Sequence, residues 1–184
     1  MAKTSPAPRL LLNVAGVHRA LARIARAIVK LNPGAPDLVL VGIQTGGVSL
    51  ALDLAQRLQS AWGRPIPVGK LDVSMHRDDL DRHLAPPVHP TAIPCDVTGK
   101  TVVLVDDVLF SGRTIRAALD ALNDFGRPQR TQLAVLIDRG HRELPIRADF
   151  VGKTVATSPA DRIEVSYAEP NGATSVTLIQ PGQT

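Results

Sequence analysis

Thr101-Val102-Val103-Leu104-Val105-Asp106-Asp107-Val108-Leu109-Phe110-Ser111-Gly112-Arg113-Thr114 decides the fold. Its first five residues are uncharged and mostly β-branched, which predicts a strand buried on both faces. Two adjacent carboxylates follow, and then a short polar run opens a helix over about Arg113 to Phe125. Gly126-Arg127-Pro128 stops that helix. Each part has a chemical use. Gly112 lets the backbone approach a ligand closely. The helix start offers unpaired N–H groups and the positive end of a dipole, which together form an anion site. Ser111 and Thr114 add hydroxyls, and Arg113 adds charge. Asp106 and Asp107 are acceptors suited to ribose hydroxyls or to a magnesium ion. An Asp pair alone would read as a strand end, and Ser111 alone as a helix cap. The ordered series describes a site for a sugar phosphate.

Working outward, strand and helix alternate. Val17, Leu21, Ile24 and Ile28 recur at helical spacing and predict an amphipathic helix over 14–31, capped by Asn13 and stopped at Asn32-Pro33-Gly34. Leu38 to Ile43 is a second buried strand. Gln44-Thr45-Gly46-Gly47 follows it and leads into a helix through about Trp62. Residues 67–75, 132–137, 150–155, 162–167 and 174–179 read as further strands, the last two joined by a turn over 169–172. Residues 76–99 are first charged and then rich in proline, a long excursion of the kind that carries function. The alternation predicts an α/β fold, with a central, mostly parallel sheet flanked by helices and one domain over 1–184. Right-handed crossovers place the loops after the strands along one carboxyl edge, where ligands bind. Neither a Walker phosphate loop nor the dinucleotide Gly-x-Gly-x-x-Gly fingerprint is present.

Composition narrows the partners. Of 184 residues, 44% are hydrophobic and only 3% aromatic. Val, Leu, Ile and Ala therefore build the core, and base stacking on exposed rings is an unsuitable source of affinity. The lone Cys95 excludes a disulfide framework and a cysteine-rich zinc site. His76, His83 and His89 fit no tight ligand spacing. No apolar run approaches a bilayer span and no secretory leader is read, so a cytoplasmic location is expected. The net charge is +4, but it is uneven. Six of the 21 basic residues precede the first acid, Asp37, and all 17 acids lie from there on. The body is thus slightly acidic. Arg19, Arg23, Arg26 and Lys30 repeat at helical spacing opposite the apolar stripe, a local feature for an anionic partner.

The segment Val102–Thr114 resembles the phosphoribosyl diphosphate (PRPP) motif of the type I phosphoribosyltransferases. The resemblance extends to Gly42–Val48, Leu71–Leu80, Gly126-Arg127-Pro128 and Asp138–Asp149, in the same order. The run Asp138-Arg139-Gly140-His141-Arg142-Glu143-Leu144-Pro145 is the most specific of these. It points to the bifunctional pyrimidine operon regulatory / uracil phosphoribosyltransferase branch, and to a type I phosphoribosyltransferase-like sheet with a small hood region. Two positions depart from the family pattern. Its Thr-Arg-Gly loop reads Thr45-Gly46-Gly47 here, which removes a guanidinium. The aromatic residue before Arg-Asp-Asp is His76.

That resemblance implies conversion of uracil and PRPP to UMP and pyrophosphate, with Mg²⁺ as cofactor. Asp106 and Asp107 would hold the ribose or the metal, and Val108, Leu109, Phe110, Ser111, Gly112, Arg113 and Thr114 the 5′-phosphate. Thr45, Gly46 and Gly47 would hold the pyrophosphate through backbone N–H groups, with Arg77 closing over it. Asp138, Arg139 and His141 would face the base or nucleotide. The resemblance also implies transcriptional attenuation through binding of pyrimidine-operon leader mRNA, tightened by UMP or UTP. Arg19, Arg23, Arg26, Lys30, Arg139, Arg142, Arg147 and Lys153 are the RNA candidates, and a homodimer or higher homo-oligomer is expected. The competing readings are an enzyme without RNA binding, a nucleotide sensor with little catalysis, and a purine or orotate phosphoribosyltransferase. The Asp138–Asp149 run argues against the last.

Overall fold

Asn13 starts the first helix, α1 (Val14–Leu31), by accepting from Gly16 N at 2.9 Å. In the computed structural model, which describes residues 7–34, 36–74, 90–168 and 172–181, α1 is preceded by strand β1 (Arg9–Leu12). It is followed by β2 (Leu38–Ile43), α2 (Gly46–Trp62), β3 (Val68–Leu71) and β4 (Thr101–Leu109). Then come α3 (Arg113–Leu122), β5 (Arg130–Asp138), β6 (Phe150–Thr154), β7 (Arg162–Ala168) and β8 (Gly172–Ile179). A 3-10 turn over Asn123–Phe125 continues α3.

Five strands form one parallel sheet in the order β3-β2-β4-β5-β6. The chain leaves β2 toward one edge, then returns to β4 and builds toward the other. Right-handed crossovers in opposite directions must put their helices on opposite faces. The core shows that division. Leu38, Leu40, Val103, Val105, Ala134 and Leu136 pack with α1 and α2. Their neighbours Val39, Val41, Val102, Leu104, Leu133 and Val135 pack with Ile115, Ala118, Ala121 and Leu122 of α3. The alternation is the two-residue period of a strand covered on both sides. The order reverses between β2 and β4, and the crevice beyond their carboxyl ends is the position where such sheets bind ligands.

A second, antiparallel sheet has the order β1-β8-β7. Ala173 and Val176 of β8 join the core on the α1–α2 side. Lys153 Nζ of β6 donates to Leu11 O of β1 at 3.0 Å and fastens the sheets together. This is the hood that the resemblance implied.

β1 is not among the expected strands, and β4 and β3 differ most in their bounds. β4 runs through both aspartates to Leu109, because its pairing with β5 continues to Leu109↔Asp138. β3 is four residues long rather than 67–75. Beyond it Asp72 N donates to Thr91 Oγ1 and Ser74 N to Asp72 Oδ1, side-chain acceptors that replace the ladder. Most of the proline-rich excursion, and residues 169–171 of the expected turn, lie outside the described residues. No helix among the described residues is long and apolar enough to cross a membrane.

Candidate active site

The two strands at the reversal deliver two helix starts side by side. After β2, Gly46 and Gly47 are already the first residues of α2, with Thr45 as its N-cap, so the expected loop is shorter than its sequence suggested. The Gln44–Thr45 peptide is cis. Glycine is required here for space. A Cβ on Gly42 would lie 2.6 Å from Val48 Cα, and one on Gly47 would overlap the carbonyl oxygen of Val105. The start of α2 therefore lies directly on β4, and a helix start carries N–H groups without intrahelical partners.

After β4, Gly112 caps α3 at φ 94°, in the left-handed region that favours glycine. Its own Cβ position is 3.3 Å from Ile146. The loop Phe110–Gly112 is held from behind by the segment after β5. Glu143 N and Leu144 N both donate to Ser111 O, at 3.0 and 3.2 Å. Arg142 donates to Phe110 O at 2.7 Å, to Gly140 O at 3.0 Å and to Ile146 O at 3.1 Å, and pairs with Asp138 at 2.6 Å. Arg113 pairs with Glu143 at 2.8 Å. The expected phosphate loop is thus a backbone turn at a helix start, braced from behind, and such a turn is suited to an anion.

The aspartate pair is divided by its environment. Asp106 is buried, 8% exposed, and its Oδ1 accepts from Asp107 N at 2.9 Å. Asp107 is more open and accepts from Tyr167 Oη of β7 at 2.8 Å. Burial, together with the Asp107 carboxylate beside it, pushes the Tyr167 phenol above its ordinary pKa, so it stays a donor. No group of three or more His, Cys, Asp or Glu residues able to hold a metal occurs among the described residues. Two neighbouring carboxylates are hard oxygen donors of the kind that Mg²⁺ takes.

Arg139, Phe110 and His141 form a third cluster. The Arg139 guanidinium lies 4.2 Å from the Phe110 ring centre and donates to Ser158 O at 2.8 Å. It is 7% exposed, and burial lowers its pKa, opposed by Asp161. His141 adopts φ 59°, places Nε2 2.7 Å from Thr157 O, and meets Phe110 edge-on at 6.1 Å. A non-glycine residue held at positive φ marks a site that the surroundings over-determine.

The structure therefore brings Thr45–Gly47, Asp106–Thr114 and Asp138–His141 to one sheet edge. Arg77 and its neighbours His76, Asp78 and Asp79 lie outside the described residues. Arg19, Arg23, Arg26 and Lys30 are all exposed on α1, as is Arg147 in its loop. Arg139, Arg142 and Lys153 are engaged within the chain, although Arg142 and Lys153 remain partly exposed. Arg139 is buried, Arg142 braces the Phe110 loop, and Lys153 holds β1. The resemblance suggested them, and only the tertiary contacts show that each spends at least one N–H on a carbonyl of its own chain. Tyr167 went unread because a single aromatic residue in a strand carries no sign of which sheet edge it will cross.

Residues 11–169 match the phosphoribosyl transferase domain family. The chain is 56% identical over 171 residues to the bifunctional protein PyrR of Chloroflexus aurantiacus, covering 92% of this chain and 94% of that protein. It is 57% identical to the bifunctional protein PyrR of Streptomyces coelicolor, covering 88% and 84%. Among solved structures, it is similar in fold to the hypoxanthine phosphoribosyltransferase of Trypanosoma cruzi. The TM-score is 0.71 at 18% identity, with 95% of this chain and 98% of that one covered.

Proposed function

The chain belongs to the phosphoribosyl transferase domain family and groups with its bifunctional PyrR members, and on that premise we propose that it makes UMP and pyrophosphate from uracil and PRPP. The observation that carries this is the meeting of two helix starts, at Gly46 and Arg113, beside Asp106 and Asp107 at the β2/β4 reversal. One helix start suits the diphosphate and the other the 5′-phosphate. The carboxylates between them suit the ribose diol.

As the bond from ribose C1′ to the diphosphate breaks, positive charge develops on the ribose and negative charge on the leaving group. The chain's part is then to orient the reactants and to stabilise charge, without a covalent nucleophile. The N–H groups of the first turn of α2 would receive charge on the departing diphosphate. The braced Phe110–Thr114 loop would fix the 5′-phosphate and so hold C1′ in place. Arg139 and His141, from the loop after β5, would set the position of the base. Asp106 and Asp107 would hold Mg²⁺, which when bound supplies charge neutralisation for the diphosphate.

The regulatory half of the proposal is uridine-nucleotide-dependent binding of pyrimidine-operon leader mRNA, with attenuation of transcription, by a homo-oligomer in the cytoplasm. The four exposed cations of α1 support it. Uracil, PRPP and Mg²⁺ incubated with the chain should yield UMP. Hypoxanthine or orotate used in preference to uracil would overturn the base assignment. A leader-RNA gel shift that strengthens on adding UMP is expected. A shift indifferent to UMP would remove the sensor role.

A further inference from the structure

Tyr167 is the chain's only tyrosine, and it joins two features of the site that are distant in sequence. It stands on β7 of the antiparallel sheet, whereas Asp107 stands on β4 of the parallel one. Its hydroxyl donates to Asp107 Oδ2 at 2.8 Å. It is 40% exposed, and it is absent from the core that holds its strand neighbours Ile163 and Val165. Hydrophobic burial therefore does not explain its position.

Gly46 is the third member. A Cβ built there would overlap both Asp107 Oδ2 and Tyr167 Oη. Gly46 has no positive φ, so conformational freedom is not what it provides. The volume of a side chain at 46 is instead filled by a carboxylate and a phenol, carried in from β4 and β7.

We propose that Tyr167 is a positioning residue for phosphoribosyl transfer: its hydroxyl fixes the orientation of the Asp107 carboxylate in the space that Gly46 leaves open. The idea rests on the reading that Asp107 meets the ribose or the metal of PRPP. A carboxylate held through one oxygen presents the other in a set direction, and preorganisation of this kind lowers the cost of binding. Without the phenolic hydrogen, Asp107 is free to turn about its side-chain bonds.

The test compares the full chain with Tyr167→Phe, Gly46→Ala and the double variant. Calorimetric binding of PRPP with Mg²⁺ is measured alongside KM for each substrate. Tyr167→Phe keeps the ring and removes one hydrogen bond to a charged acceptor, so PRPP binding should weaken by about tenfold. KM for uracil should not move. Gly46→Ala should weaken PRPP binding in the parent. Its further effect should be smaller in the Tyr167→Phe background, where Asp107 can give way. The near-ultraviolet spectrum of the single tyrosine should shift when PRPP and Mg²⁺ are added. Parent-like PRPP binding by Tyr167→Phe overturns the proposal, as do equal losses for both substrates or strictly additive effects. A chain that binds PRPP but forms no UMP from uracil overturns the uracil assignment alone, with the binding comparison still decisive for Tyr167. A chain that binds no PRPP overturns both.

Discussion

Arg142 shows how a charged side chain can brace a loop from behind. Its guanidinium collects carbonyls from three points of two loops and pairs with Asp138. Arg142→Met keeps the apolar stem and leaves those carbonyls and Asp138 unsatisfied, at a cost of about 1–3 kcal/mol. The expected result is a lower melting temperature together with a raised KM for PRPP. A parent-like KM would show that the loop holds itself. Gly47 is the sterically stricter glycine, since its missing Cβ faces the backbone oxygen of Val105 and not a movable side chain. Gly47→Ala should destabilise by about 1–3 kcal/mol, as overpacking does, read by denaturant unfolding. At this scale the sequence was informative about which residues lie at the site and silent about their partners. Asp106, Asp107 and Gly112 declare themselves by following a buried strand. Tyr167 and Arg142 do not, because their roles depend on strands and loops that meet only after the chain has folded.

At the scale of elements, α1 has two independent faces. Its apolar stripe is buried, with Ile28 fully enclosed. Ile28→Ala should cost about 2–5 kcal/mol in chemical unfolding. Changing Arg19, Arg23, Arg26 and Lys30 to Gln together should leave that unfolding free energy within about 1 kcal/mol, because exposed charges contribute little to stability. UMP synthesis should be kept and leader-RNA binding should weaken. Kept RNA binding would confine the role of that face to solvation. The periodicity of α1 was readable because a single helix solves its own burial problem. The bounds of β3 and β4 were not, since a strand continues only as far as a neighbour pairs with it. The turn at Asp96–Thr98 offers a pH reading. Side-chain and backbone hydrogen bonds from Thr98 hold the Asp96 carboxyl below its usual range. A depressed carboxyl contributes stability that is present above its unfolded pKa and lost as pH falls through the folded value. Asp96→Asn should therefore narrow its gap to the parent in melting temperature as the buffer is acidified. A gap constant with pH would remove Asp96 from the acid limb.

For the whole molecule, the positive net charge is a sum of unlike parts. The body carries the proposed PRPP site at its strand ends, and the excess of cations lies at α1. RNA affinity should fall with salt, with a log–log slope of about −0.7 for each phosphate contacted in single-stranded RNA. The quadruple Gln variant should show a shallower slope than the parent. Equal slopes would place the contacts elsewhere. The fold class was legible because alternating buried strands and helices admit few arrangements. The strand order, and hence the pairing of β2 with β4, came only from the folded chain. One pairing also spans nearly the full sequence. β1 pairs with β8, Arg9 opposite Leu178, so the earliest strand has no partner until almost the whole chain exists. On the ribosome the nascent chain would expose Leu10 and Leu12 without a ladder until the C-terminal strand emerges. The sheet bearing Tyr167 would close after the parallel sheet is in place. Acquisition of activity should then trail synthesis of the parallel sheet, and a chain arrested before β8 should be released with its phosphate loops built and its hood open.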